Sequence, residues 1–111
     1  MGHVNNAVYL TYIESARVAF LFELGAASRL EDMSVIIARV EVDFRAPMGL
    51  GDDVAISVVP GGFGDKSFGL DYVLRVRGET VAEGKDVCVA YDYNRGETVP
   101  IPDAWRECLA A

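Results

Sequence analysis

Histidine is nearly missing from this chain: His3 stands alone among 111 residues. The two cysteines, Cys88 and Cys108, lie far from it and from each other in sequence. The ligand types of a metal centre are therefore not assembled, and no metal is expected. Two cysteines also fall short of a disulfide framework, so both are read as reduced thiols in a cytoplasmic protein. Positive charge is scarce, with 10 Lys and Arg against 17 Asp and Glu and a net charge of -7. That balance excludes nucleic acid and anionic membrane as main partners. It leaves room for a small anionic ligand, which needs only a local basic patch. No apolar run reaches membrane-spanning length, and no basic segment leads into an apolar one as in a secretory signal. Repeats, low-complexity tracts and linkers are also missing, so residues 1–111 read as one domain. A hydrophobic content of 51% is enough for a core, although a chain this short buries a modest share of its surface.

What the chain does have is a switch of period. Tyr9, Tyr12, Ile13, Ala16, Phe20 and Leu24 follow helical spacing and predict a helix from Asn6 to Leu24. Val8, Leu10, Ala19, Leu21 and Phe22 widen the stripe until it nearly encircles the helix, which predicts burial on most sides. Gly25 is the expected stop. Then the period becomes two. Ile36, Ala38, Val40, Val42 and Phe44 alternate with Ile37, Arg39, Glu41, Asp43 and Arg45, as in a strand with one wet face. Pro47 to Asp53 is a turn. A second strand spans Val54 to Val59 and is expected to end at Pro60-Gly61-Gly62. A third spans Ser67 to Arg77, with Phe68, Leu70, Tyr72, Leu74 and Val76 on one face. A fourth spans Thr80 to Tyr93, with Ala82, Cys88 and Ala90 opposite Val81, Val87, Val89, Tyr91 and Tyr93. Asn94-Arg95-Gly96 is a turn, and Pro102 to Cys108 is a short last helix with Pro102 in its first turn. One buried helix followed by an antiparallel meander is an α+β arrangement, a curved sheet around a helix.

The helix begins in a distinctive way. Gly2-His3 is a tight turn running into Asn5 and Asn6, and asparagine is a preferred helix cap. The other first-turn N–H groups point out of the positive end of the helix dipole, where they can hold a developing oxyanion.

The block Gly2-His3-Val4-Asn5-Asn6-Ala7-x-Tyr9, with Glu14-x-Ala16-Arg17 on the same helix, resembles the hotdog-fold acyl-CoA thioesterases of the 4-hydroxybenzoyl-CoA thioesterase group. The likeness continues through Phe44-Arg45-Ala46-Pro47-x-x-x-Gly51-Asp52 and Lys66-Ser67-Phe68 into the proline-containing C-terminus. It implies five antiparallel strands around one helix, subunits joined edge to edge, and active sites at the interface of a homodimer or homotetramer. It implies thioester hydrolysis without a metal or redox cofactor, coenzyme A being part of the substrate. By the same resemblance the backbone N–H at Asn6 polarises the thioester carbonyl; His3 is a catalytic candidate on its own chemistry, since an imidazole changes charge near neutral pH. Gly2, Val4, Asn5 and Tyr9 line the substrate, and Lys66 and Ser67 meet the coenzyme A phosphates. One departure stands out. The family's first strand and its catalytic aspartate lie upstream of the position of Met1, so these residues hold four of the five strands and lack that carboxylate.

Each residue has a plainer reading. His3 suits a turn residue, Asn5 and Asn6 suit caps, and Lys66 suits a solvated hairpin. Glu14 and Arg17 are spaced to pair on the helix surface. Glu14 is also the nearest helix carboxylate to the missing aspartate, but lies more than two turns in. Arg39 and Arg45 alternate with Glu41 and Asp43 as a solvated face does. Cys88 and Cys108 are poor nucleophile candidates, because the one histidine belongs to another element. Two alternatives to an enzyme stand: a non-catalytic hotdog domain that binds acyl thioesters or only dimerises, and an unrelated helix-in-sheet binding domain. The Gly-His-Val-Asn-Asn block speaks against the latter.

Overall fold

The computed structural model describes residues 6–26, 34–49 and 51–110. Helix α1 spans Asn6–Leu24, the span that the apolar spacing predicts. It stops at Gly25, whose φ of 89° few other residues tolerate. The Gly25 N–H donates to Phe22 O and the Ala26 N–H to Leu21 O, which satisfies the last-turn carbonyls. Strands β1 (Val35–Phe44), β2 (Val54–Phe63), β3 (Ser67–Val76) and β4 (Glu79–Asp92) follow, then a two-residue β5 (Glu97–Thr98) and helix α2 (Asp103–Ala110). All pairings are antiparallel, in the order β1-β4-β3-β2, with β5 beside the end of β4. Among the described residues, no helix is long and apolar enough to cross a membrane.

The core lies between α1 and one face of the sheet. Phe68, Leu70, Tyr72, Leu74 and Val76 of β3 are buried, as the alternation predicts, beside Ala82, Cys88 and Ala90 of β4. Ile13 of α1 settles over Gly84, where an added Cβ would stand 2.8 Å from Ile13 Cδ1 and 3.3 Å from Glu41 O. Trp105 and Leu109 of α2 close one end, with Trp105 edge-on to Phe68 at 6.3 Å between centroids.

Three expectations change. In β1 the register shifts between Ile37 and Arg39, so Ala38 is an extra residue. A bulge inverts the phase of the alternation. Val35 and Ile37, opposite Ala90 and Cys88, therefore share the inner face with Val40, Val42 and Phe44, and Ile36 does not. Secondly, β2 does not end at Pro60. It runs on to Phe63 through a register shift between Pro60 and Phe63. Among the described residues β2 pairs only with β3, the kind of strand on which proline is tolerated. Gly62, at φ 114°, makes the bend, and Gly61 lies against the Asp71 carboxylate, which a Cβ would push aside. Thirdly, the sheet does not cover α1 on all sides. Val8 and Leu10 stay exposed, and so do Ile37, Val40 and Phe44 on the inner row of β1. Four long strands are too few to enclose a helix.

Candidate active site

Asn6 is the first residue of α1, so the unpaired first-turn N–H groups and the positive dipole end lie there. Gly2, His3, Val4 and Asn5 fall outside the described residues. One turn on, Tyr9 is buried. Its hydroxyl donates to Ala46 O at 3.1 Å and accepts from the Met48 N–H at 3.1 Å. Its ring meets Phe44 edge-on, 4.9 Å between centroids. Tyr9 thus fastens the helix start to the segment leaving β1.

From that point α1 climbs along the sheet in step with β4. Ile13 lies over Gly84 and Arg17 reaches Asp86. Four helical residues advance about 6 Å and two strand residues roughly 6.6 Å, so the match holds along the helix. The helix start therefore sits near the Phe44–Ala82 pair, while Ser67 pairs with Val89. Seven residues of β4 separate these pairs, roughly 23 Å along the strand. Within one chain, then, Asn6 and Tyr9 come together, and Lys66 and Ser67 lie at the far end of the sheet. Lys66 is exposed. Its carbonyl accepts from the Ala90 N–H at 2.9 Å, and Ser67 O accepts from the Gly64 N–H at 2.8 Å, which holds the hairpin.

The expected Glu14–Arg17 pair does not form. Arg17 points to the sheet rather than to the helix surface. Its Nε donates to Asp86 Oδ2 at 2.6 Å, and the Tyr72 hydroxyl donates to the same oxygen at 2.6 Å. Asp86 is 1% exposed, the one charged residue in the core of the described part. Its Oδ1 is buried without a hydrogen-bond partner among the described residues. Burial pulls the Arg17 guanidinium down, yet the bond to Asp86 and its charge outweigh this and leave it above its ordinary value. Burial, then the bond to Asp86, push the Tyr72 hydroxyl far up. Sequence reading missed this cluster. The signal was present: Asp86 shares the phase of Ala82, Cys88 and Ala90, and a charge in a buried phase requires a partner.

Both cysteines are free, Cys88 buried and Cys108 exposed. Burial, with the nearby Asp86 charge, pushes the Cys88 thiol up to about 12, far from a thiolate nucleophile. Glu14 is exposed on α1. Arg39 pairs with Glu41, and Arg45 donates to Glu83 from Nε at 3.1 Å and Nη2 at 2.7 Å, the solvated ladder that the alternation predicts. No group of three or more His, Cys, Asp or Glu that could hold a metal occurs among the described residues.

Residues 1–109 match the thioesterase-like superfamily. A thioesterase from Thermus thermophilus, solved in complex with coenzyme A and zinc, is 38% identical over 99% of this chain and 86% of its own, with a TM-score of 0.88. A predicted thioesterase from Bacillus stearothermophilus is 27% identical over 98% of this chain and 82% of its own, TM-score 0.90. A gentisyl-coenzyme A thioesterase is 28% identical over 97% and 87%, TM-score 0.83. No curated protein sequence matches the chain. With a helix opening on Asn6, an antiparallel sheet packed along it, and this agreement over nearly its whole length, the chain belongs to the thioesterase-like superfamily and has its hotdog fold.

Proposed function

We propose that the chain hydrolyses acyl-CoA thioesters at a site shared by two copies of itself in the cytoplasm. The carbonyl lies at the start of α1 in one copy, where the Asn6 N–H polarises it, and Gly2, His3, Val4 and Asn5 shape the pocket around it. Tyr9 acts by holding that helix end in place. Lys66 and Ser67 of the second copy receive the phosphates of coenzyme A, which is substrate and not cofactor. Water adds to the carbonyl carbon, the carbon–sulfur bond breaks, and the released thiolate takes a proton.

The observation that carries this reading is the separation of Asn6 from Lys66 along one sheet. Antiparallel pairing of two β1 edges reverses the second sheet and carries its Lys66 end towards the first helix start. The same step covers Ile37, Val40 and Phe44, an apolar row that solitary chains rarely expose. The non-catalytic reading differs in one outcome: coenzyme A would bind without thiol release. Removing a general base forfeits about 10²–10⁴-fold in rate. A thiol-release assay with aliphatic and aromatic acyl-CoAs tests both. The 111 residues should turn over slowly, and a version carrying an N-terminal strand that ends in Asp should gain mainly in kcat. Coenzyme A binding with no thiol release from either version would favour the binding module.

A further inference from the structure

Nine of the ten basic residues lie in the described part, and most of them face a carboxylate. Arg17 is bound to Asp86, Arg39 to Glu41, Arg45 to Glu83 and Arg95 to Glu97, and Arg77 approaches Asp52 at 3.9 Å. Arg75 reaches Ser57, and Lys85 stands across from Glu41 on one side and Asp71 on the other. Lys66 faces no carboxylate among the described residues, and Arg106, 4.0 Å from Asp65 Oδ1, is held on the residue next to Lys66. Arg106 Nη2 donates to the carbonyl of Asp65 at 2.9 Å, and Nε reaches Ile101 O at 3.4 Å. The guanidinium lies over the Phe63 ring, 5.3 Å from its centroid. The Ile101 N–H also donates to Asp65 O, at 2.8 Å. The C-terminal segment is thereby stapled to the β2–β3 turn next to Lys66, and Nη1 of Arg106 makes no hydrogen bond among the described residues.

We propose that Arg106 is a second phosphate-binding residue for coenzyme A, acting with Lys66 as a two-cation cradle on the β2–β3 hairpin. This rests on the thioesterase reading above. An arginine fork takes phosphate oxygens in pairs, which a lone lysine cannot do. Its position is already fixed by Phe63 and two carbonyls, so little side-chain freedom is lost on binding. The cradle matters because the chain as a whole, at -7, repels a polyanion. One group opposes the cradle: the exposed Asp65 carboxylate, 4.0 Å from Arg106 Nη2.

The signs are opposite for the two neighbours, and calorimetric titration with coenzyme A reads both. Arg106→Gln should weaken binding about tenfold at low salt, with the gap closing as ionic strength rises. Asp65→Asn should tighten binding, and it decides the matter alone if Arg106→Gln melts early. Arg75→Gln, eight residues along β3 from Ser67, should bind as the wild type does. Dephospho-coenzyme A separates the sources: a loss that vanishes with it belongs to the 3′-phosphate, and one that persists belongs to the diphosphate. An Arg106→Gln protein that melts normally and binds as tightly as wild type overturns the cradle, as does an Asp65→Asn protein with unchanged affinity. Wild-type protein that neither binds coenzyme A nor releases thiol would instead bring down the thioesterase reading.

Discussion

Asp86 is the most consequential single residue outside the site. Two donors converge on one oxygen while the other is buried and bare among the described residues. Such a group is costly to keep and more costly to break. Asp86→Ala leaves the Arg17 charge and the Tyr72 hydroxyl facing an apolar gap, and the expected loss is about 3–5 kcal/mol in urea unfolding. Replacing the cluster together, with Asp86→Leu, Arg17→Met and Tyr72→Phe, should cost far less than the single change, because no polar group is left stranded. A triple variant as weak as the single one would refute this account. The neighbouring Cys88 sets an alkaline limit. Its thiol goes from an ordinary 9.0 to about 12 in the fold. Above about pH 9 the unfolded chain has therefore lost a proton that the folded chain keeps. The stability from this thiol is complete below pH 9.0 and is lost as pH rises towards about 12. Melting temperatures should fall across that window, and Cys88→Ala should flatten the fall. Tyr72, shifted in the same direction, adds to the effect.

Among the elements, α1 owes its closeness to the sheet to Gly84. Gly84→Ala places a methyl 2.8 Å from Ile13 Cδ1, and Ile13 is fully buried with nowhere to retreat. Overpacking of this kind costs typically ~1–3 kcal/mol. The helix should also lift, which would lower kcat by shifting the Asn6 end, and a thermal melt together with thiol release reads both. The span of α1 was legible because nineteen residues of steady spacing and a glycine stop act together. The buried face of β3 was legible because its alternation is unbroken from Phe68 to Val76. Bulges were not. An extra residue at Ala38 inverts the phase of β1 with no mark in composition, and Pro60-Gly61-Gly62 reads as a terminus although it is a bend within β2. Of the proposed site, the sequence offers the helix start and the Lys66 hairpin as candidates. Their placement at opposite ends of one sheet could not, since strand order is set by long-range pairing.

At the scale of the molecule, the chain is elongated, 48 by 26 by 21 Å, with the helix start and the Lys66 hairpin apart and an apolar row open on β1. Association should close that row. Val40→Glu places a charge in its middle and should convert a dimer, by sedimentation, into a monomer that retains its fold but releases no thiol. A dimer that survives this change would move the interface elsewhere. The other margin of the sheet is β2, which pairs only with β3 among the described residues. A free strand margin is a template on which further chains can add one after another. Pro60 offers such an arriving chain no N–H, and the glycine bend twists the margin out of line. Among the described residues the kink at Pro60 thus works as a chain terminator: a chain arriving along β2 finds no N–H there and no straight margin beyond it. Pro60→Val should leave catalysis alone and shorten the lag before fibrils form in a concentrated, agitated solution.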